Sequence, residues 1–352
     1  MLKDEIAKRN LPAVLKDGVT KESFAAYQDE LRRLFAEECF GVSPAAPGEV
    51  RSEITFTRED EYCSKSLRQD VKLSFEMEKG EFTFPMTVEI PYASRPVPAV
   101  VYISFADFRA DGYQPVEEIV DAGYAYATFN YQNVTTDDGD FTNGIAALTT
   151  RGTDSDWGKI GMWAYAASRV LDYLLTRPEI DPKRIIVMGH SRLGKTALWA
   201  AAQDKRFAGA VSNDSGCSGA AVNRGKVGEH IRQIYTTFPF WFCKNYEKYM
   251  DNEDKLPFEQ YHLLALTCPR PVYVCSGSMD EWADPLSEFI SACKVGEAYQ
   301  LFGFEGLGEC EMPAPGGRIV GDKVGYHNRP GTHFLSRYDW IRVLRFMDIA
   351  LL

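Results

Sequence analysis

Apolar positions in the first 47 residues repeat with a helical period. The segment ends at the proline- and glycine-rich stretch 43–48, which cannot continue a helix. We therefore predict an N-terminal helical extension over residues 1–48. Its apolar face is formed by Phe24, Tyr27, Leu31, Leu34 and Phe35.

Beyond residue 50 the pattern predicts strands, and after residue 103 short apolar strands alternate with helical segments. Such alternation predicts a mostly parallel, twisted sheet covered by helices on both faces, which is a three-layer α/β sandwich. We find no linker after residue 48, so residues 49–352 are expected to form a single domain. The predicted strands are 54–56, 71–75, 82–90, 98–103, 124–129, 184–188, 207–211 and 271–275, and the predicted helices are 161–176, 193–203, 284–295 and 338–350.

The composition supports a large core and excludes some partners. Of 352 residues, 45% are hydrophobic and 13% aromatic, while 50 acidic side chains against 39 basic ones give a net charge of −11. This acidic balance argues against binding to nucleic acid or to an anionic membrane. No apolar segment is long enough to span a membrane, and the N-terminus shows no apolar leader. We expect a cytoplasmic protein, or a secreted one if a leader has been removed; the pattern does not indicate an oligomeric state.

The eight cysteines form no metal-binding motif. They are scattered, none lies in a CxxC pair, and no Cys/His cluster has zinc-ligand spacing. Cys243, Cys268 and Cys275 lie in apolar segments, where a buried, reduced thiol is expected. We predict neither a metal nor an organic cofactor. The remaining cysteines are Cys39, Cys63, Cys217, Cys293 and Cys310.

One segment predicts nucleophilic chemistry. A buried strand, 185–188, runs into Gly189-His-Ser191 and then directly into a helix that contains Gly194. Strand, tight turn and helix are the context of a nucleophile elbow, although G-x-S-x-x-G is one residue longer than the usual G-x-S-x-G. The helix N-terminus offers backbone N–H groups where an oxyanion would form. We predict Ser191 as the nucleophile; the alternative is an ordinary N-cap serine.

A serine nucleophile requires a base, and the order Ser, acid, His points to a late histidine. His333 lies in 325–335, a glycine- and proline-rich segment that we predict to be an irregular loop before the last helix. His327, in the same segment, is the alternative base, or else a structural hydrogen-bonding residue. His262 is expected to be a packed core residue, and His190 is expected to point away from Ser191.

Two carboxylates compete for the third place in the triad. Asp280 and Asp214 each follow a buried strand, and either could orient the base and stabilise its cation. We favour Asp280 and keep Asp214 as the alternative. Asp284, before Pro285, reads as a helix cap.

Several motifs, in order, resemble the glucuronoyl esterases of carbohydrate esterase family 15. The elbow Gly189-His-Ser-Arg-Leu-Gly-Lys195 is similar to the family's G-C-S-R-x-G-K. The resemblance extends over roughly residues 98–350, and it implies an α/β-hydrolase fold. Further similar segments are 212–221 (SNDSGCSGAA), 239–242 (PFWF), 256–271 (LPFEQYHLLALTCPRP), 280–285 (DEWADP) and 325–333 (GYHNRPGTH).

The resemblance also implies roles for particular residues. Arg192 would add its guanidinium to the oxyanion hole, and Lys195 and Trp282 would contact the uronate. The family commonly has Glu at the position of Asp214, and some bacterial members carry the acid at Asp280. Gln233 would serve as a further sugar contact, but no Glu stands at the expected place before 239–242.

These features predict a serine carboxylester hydrolase that acts on carbohydrate esters through an acyl-enzyme on Ser191. The expected substrate is a small-molecule or oligosaccharide glucuronate ester. The alternative substrate is an acetylated xylan or xylo-oligosaccharide, hydrolysed by the same triad. A catalytically silent sugar-binding homologue and a peptidase are the less favoured interpretations.

Overall fold

The computed structural model describes residues 2–108, 114–308 and 311–352. Its strands form one ten-stranded sheet with the order β1-β2-β3-β5-β4-β6-β7-β8-β10-β9. The strands are β1 Arg51–Asp60, β2 Ser66–Met77, β3 Gly80–Pro91, β4 Val97–Ser104, β5 Ala125–Asn130, β6 Ile180–His190, β7 Gly209–Asn213, β8 Val272–Gly277, β9 Arg318–Val320 and β10 Val324–Arg329.

The sheet has an antiparallel end and a parallel centre. β1, β2 and β3 pair antiparallel as a meander, and β3 joins β5 antiparallel. From β5 through β4, β6, β7 and β8 to β10 every neighbouring pair is parallel, and β9 closes the far edge antiparallel. The carboxyl ends of β6, β7, β8 and β10 therefore lie side by side, where α/β proteins place their ligand sites.

Helices cover both faces of this sheet, which confirms the predicted three-layer arrangement. The side chains of β6 alternate between the two covering layers: Ile185 and Val187 pack on one side, Ile186 and Met188 on the other. The helices are α1 Leu2–Lys8, α2 Phe24–Phe35, α3 Glu61–Ser64 (one turn with left-handed residues), α4 Val116–Asp121, α5 Lys159–Leu174, α6 Arg192–Gln203, α7 Ile231–Thr237, α8 Gln260–Ala265, α9 Pro285–Lys294, α10 Gly296–Gln300 and α11 Arg337–Ala350.

The N-terminal segment packs closely on the rest of the chain. Phe35, at the end of α2, stacks on Phe258 with ring centroids 3.9 Å apart. Gln28 donates hydrogen bonds from its side-chain nitrogen to the carbonyls of Ala265 and Cys268. These contacts place α2 in the layer that also contains α5 and α6. The division into an extension, 1–48, and a domain, 49–352, stays a prediction.

One predicted loop is partly a strand. The segment 325–335 was expected to be irregular, but its first five residues belong to β10, which pairs parallel with β8. The polar residues of this strand show no apolar alternation, so the pattern gave no strand signal. His327 is therefore a strand residue that pairs with Cys275.

The cysteines and the helices agree with two further expectations. Cys243, Cys268 and Cys275 are buried and form no disulfide. Cys310 lies outside the described residues. No helix in the part of the chain that the structure describes is long and apolar enough to cross a membrane.

Candidate active site

Ser191 lies at a strained turn between β6 and α6. Its φ of 57° and ψ of −128° are unusual for a residue with a side chain, and its N–H donates to the carbonyl of Asn213 at 2.8 Å. A Cβ at Gly189 would lie 2.0 Å from the carbonyl oxygen of Leu193, so only glycine fits there. These are the features of a nucleophile elbow, in which the residue that lengthens the motif lies between Ser191 and Gly194.

The imidazole of His333 is held by a carboxylate. Its Nδ1 lies 2.6 Å from Oδ2 of Asp280, whose side chain is 5% exposed, while that of His333 is 44% exposed. The two residues lie on neighbouring loops, after β8 and β10. Backbone hydrogen bonds join these loops, from Met279 N–H to the carbonyl of Gly331 and from Ser278 N–H to that of Arg329. An oriented, solvent-accessible histidine beside a carboxylate can act as a general base.

Asp214 lies close by but makes different contacts. Its side-chain oxygens accept the N–H groups of Gly277 and of Phe334, and a hydrogen bond from Nη2 of Arg329 at 3.3 Å. Suitable atoms of Asp214, Asp280 and His333 all lie within 4.8 Å of one another. The nearest contact of His333 is therefore the favoured acid, Asp280, and Asp214 fixes the backbone next to the base.

Burial and a neighbouring carboxyl group oppose the ionisation of Asp214. Burial, with the neighbouring Glu288 carboxyl, raises the pKa of Asp214 well above its ordinary value. Burial likewise raises the pKa of Glu288 to about 7, against the hydrogen bonds donated by Ser276 and the N–H of Gly216. A carboxyl group that resists ionisation stabilises an imidazolium less, which is a second reason to favour Asp280.

Arg329 is a site residue that the sequence pattern did not reveal. Its guanidinium is buried and donates to the carbonyls of Thr332 at 2.6 Å and Phe334 at 2.7 Å, on either side of His333. It also bonds Asp339 through Nε. Together with Asp214 it fixes the loop that carries His333. Arg329 lies within the segment 325–333 quoted above, but nothing in the spacing of that segment indicated a role for it.

The other histidines have structural surroundings. His327 is buried, with Nε2 2.8 Å from Asp339 and Nδ1 3.1 Å from the hydroxyl of Tyr273. His262 is a packed core residue, as predicted; it accepts the N–H of Glu259, and burial lowers its pKa to about 4.

His190 lies next to His333, and its expected orientation away from Ser191 stays a prediction. Its ring lies 4.6 Å from that of His333, at 43°, and its Nδ1 contacts Asn213 at 2.7 Å. Burial, reinforced by the charge of His333, lowers the pKa of His190 to about 4. A neutral ring therefore packs beside the base and connects His333 to the elbow.

Arg192, the first residue of α6, follows Ser191 and points toward an aromatic cluster. Its Nη1 forms an ion pair with Asp137. The centre of the guanidinium lies 4.7 Å from the ring of Trp241 and 5.6 Å from that of Phe105, in the loop after β4. The side chain is 26% exposed. Arg192 is thus near the elbow, and Asp137 is a neighbour that the motif did not predict.

The predicted sugar-binding residues occupy different environments. Trp282 is exposed, two residues after Asp280, whereas Lys195 is buried and donates to the carbonyl of Ser215. Burial lowers the pKa of Lys195, against the charge of Glu229, which acts to raise it. The N–H of Glu229 bonds the carbonyl of Trp282 at 3.0 Å. Glu229 is therefore an acidic residue beside the site that sequence reasoning did not identify.

Gln233, the predicted further sugar contact, takes part in a helix cap. Its side chain is exposed and caps its own helix, α7, by accepting the N–H of His230 at 3.1 Å. Trp241 is buried, and its ring stacks on Phe238 with centroids 3.9 Å apart. A sequence resemblance does not reveal that a side chain caps its own helix and not a ligand.

The elbow, the loop histidine bonded to a carboxylate and the central parallel sheet define an α/β-hydrolase. The chain belongs to the glucuronoyl esterase family. The family model described as "Glucuronyl esterase, fungi" matches residues 73–303. The resemblance noted in the sequence motifs is thereby confirmed.

Three relatives illustrate this likeness. The chain is 42% identical over 244 residues to carbohydrate esterase MZ0003 from an unknown prokaryotic organism, covering 68% of this chain and 56% of that protein. It is 28% identical to the 4-O-methyl-glucuronoyl methylesterase of Podospora anserina, covering 77% and 54%. The solved glucuronoyl esterase from Solibacter usitatus superimposes with a TM-score of 0.89 at 33% identity, covering 97% of this chain and 98% of that one. The chain thus spans just over half the length of the curated relatives it matches.

Proposed function

We propose that the protein is a serine carboxylester hydrolase that cleaves carbohydrate esters, with glucuronate esters as the main substrates. The observation that carries the proposal is the 2.6 Å contact between His333 and Asp280 beside the strained Ser191 turn. A strained turn at the end of a buried strand, together with a histidine oriented by a carboxylate, is typical of acyl-transfer sites. The family of the chain supports the carbohydrate substrate.

In the proposed reaction Ser191 attacks the ester carbonyl while His333 takes the hydroxyl proton. Asp280 stabilises the resulting imidazolium. The oxyanion accepts hydrogen bonds from the backbone N–H and the guanidinium of Arg192, at the N-terminus of α6. The C–O bond to the alcohol then breaks, and His333 returns the proton to the leaving oxygen. Water repeats the sequence on the acyl-enzyme, which releases the carboxylate and restores Ser191.

The substrate proposal rests on the relatives and on the residues around the elbow. The Podospora anserina relative is a 4-O-methyl-glucuronoyl methylesterase. Here Trp282 offers an exposed ring, and Glu229, whose charge acts on Lys195, contacts Trp282 through its backbone N–H. An aromatic face next to hydrogen-bonding groups suits a pyranose ring. The substrate is thus a small molecule or an oligosaccharide; the cytoplasmic location expected from the sequence stays a prediction.

One observation favours the second candidate, an esterase that removes acetyl groups from xylo-oligosaccharides. Of the three groups assigned to uronate recognition, Gln233 caps its own helix and Lys195 is bound to Ser215. An acetyl ester needs no contact with a uronate, so it depends on neither residue. The triad and the mechanism would be the same.

Labelling with a fluorophosphonate tests the serine chemistry. We expect the wild-type protein to be labelled and Ser191→Ala to remain unlabelled, whereas Ser94→Ala, which alters an exposed serine after β3, should label normally. Labelling that persists in Ser191→Ala would refute the proposal. A panel of methyl glucuronate and acetylated xylo-oligosaccharides then separates the two candidates, because the preferred ester has the higher kcat/KM.

A further inference from the structure

Asp137 contacts three side chains around the elbow. Its Oδ2 pairs with Nη1 of Arg192 and accepts the hydroxyl hydrogen of Tyr131 at 2.8 Å. Its Oδ1 accepts the indole N–H of Trp241 at 2.7 Å. The carboxylate is 10% exposed. Because neutral donors on separate elements bind both oxygens, the carboxylate is held in place even without its ion pair to Arg192.

Aromatic rings surround the same guanidinium. Its centre lies 4.7 Å from the ring of Trp241, 5.5 Å from Phe238 and 5.6 Å from Phe105. Trp241 and Phe238 are themselves stacked, with an angle of 2° between their planes. An arginine side chain normally samples many rotamers, so these contacts and the ion pair together restrict it.

The loop that carries Asp137 is rigid. Lys159, at the start of α5, is buried and donates from Nζ to the carbonyl of Asp140 at 2.7 Å and to that of Thr136. The side-chain oxygen of Asn143 accepts the N–H of Thr136 at 3.1 Å. The segment 136–140 is thus tied to a helix of the core and can hold a functional group precisely.

We propose that Asp137 is a positioning residue that orients the Arg192 guanidinium toward the developing oxyanion. This inference rests on the proposed function, in which Arg192 stabilises that oxyanion. Asp137 pairs with Nη1 of Arg192, and the side chain of Arg192 remains 26% exposed, so part of it is open to a substrate. Donors that are oriented in advance do not reorganise as charge develops, and this is what makes an oxyanion hole effective.

Steady-state kinetics of Asp137→Asn test the proposal. We expect kcat to fall about tenfold with KM within about twofold of the wild type, because the lost interaction acts only on the transition state. Arg192→Ala should lower kcat about 100-fold. The decisive measurement is the double variant: if Asp137 acts through Arg192, Asp137→Asn should cause no further loss in the Arg192→Ala background.

Two controls make the outcomes clear. Asp181→Asn removes a carboxylate that is remote from the elbow and pairs with Arg184 at 2.7 Å. The kcat of this variant should equal that of the wild type. Trp241→Phe removes the indole N–H that holds Asp137, together with part of the ring packed on Arg192, so it repeats the test if Asp137→Asn folds poorly. An unchanged or higher kcat in Asp137→Asn, or an equal loss in both backgrounds, overturns the proposal. A Ser191→Ala variant with normal turnover would instead overturn the proposed function.

Discussion

The histidines of two His–Asp pairs, His327 and His333, lie six residues apart in the chain, and the surroundings of the two pairs differ. His333 and Asp280 are 2.6 Å apart on loops, with the histidine 44% exposed. His327 and Asp339 are 2.8 Å apart, and both side chains are fully buried. His327 uses its second nitrogen to contact Tyr273, so it has no nitrogen left for a substrate. A His–Asp pair can thus serve catalysis or stability, and access to the second nitrogen decides which.

The largest expected effect comes from replacing each histidine by glutamine. His333→Gln should lower kcat by about 10⁵-fold or more, because the proposed base is lost, and should leave the free energy of unfolding nearly unchanged. His327→Gln should retain most of the kcat but lose about 3 kcal/mol of stability, since it breaks a buried pair. Ester hydrolysis and urea unfolding measure the two quantities. A matched loss of kcat in both variants would contradict the division of roles.

The carboxylates provide the next comparison. Asp280→Asn should lower kcat by about 10⁴-fold, because an amide neither orients the proposed base correctly nor stabilises its cation. Asp214→Asn preserves an acceptor for the N–H of Gly277, so we expect a loss of about tenfold or less. Initial rates at saturating ester give both values. If Asp214→Asn proves the more damaging of the two, Asp214 is the acid of the triad.

Acid should destabilise the buried pair. Burial lowers the pKa of His327, so the unfolded chain takes up a proton on this histidine more readily as the pH falls below about 6.5. Burial acts to raise the pKa of Asp339, but the hydrogen bond and charge of His327 and the bonds from Ser336 outweigh it and lower that pKa. The stability due to Asp339 is therefore present above about pH 4 and is lost as the pH falls through its folded-state pKa.

Thermal unfolding between pH 7 and pH 4 measures this dependence. The wild type should lose stability with acid more steeply than His327→Gln, which lacks the titrating ring. Glu288 has the opposite effect on stability. Its pKa of about 7 in the folded state lies above the ordinary carboxyl value, so the folded state gains stability as the pH falls through 7. Since Glu288 is present in both proteins, the difference between the two curves isolates His327. Parallel curves would mean that His327 is not protected from protonation.

The smallest expected effect is that of Tyr273→Phe. This change removes the hydroxyl that contacts Nδ1 of His327 and retains the packed ring. We expect a loss of about 1 kcal/mol in the free energy of unfolding, with kcat unchanged. Urea unfolding with parallel rate measurements is sufficient. A substantial loss of kcat would show that the buried pair influences the active site directly.

The sequence predicted the parts of the molecule that depend on short-range patterns. Strand, turn and helix around Ser191 follow from a buried run and two glycines, and the late loop position of His333 follows from chain order. β10 was missed because its residues are polar; its burial comes from pairing with β8 and from the network of Asp339 and Arg329. A local sequence pattern does not show that polar residues of a strand are compensated by residues far away in the chain.

The acidic residues show the same limit within the site. Asp214 and Asp280 both follow buried strands, and their positions along the chain do not distinguish them. Their contacts differ because the loop after β10 presents a ring to one and a backbone N–H to the other. Asp137 and Glu229 lie on loops outside every motif, so only the folded chain brings them near Arg192 and Trp282.

The position of the proposed base between the last strand and the last helix has a consequence for biosynthesis. A ribosome releases the elbow well before β10 and α11, which supply Arg329 and Asp339 to the loop around His333. Until β10 and α11 have been made and docked, Ser191 therefore has neither its proposed base nor the sheet edge that holds it. We expect fragments truncated before residue 333 to be inactive, so that activity reports on the docking of these elements.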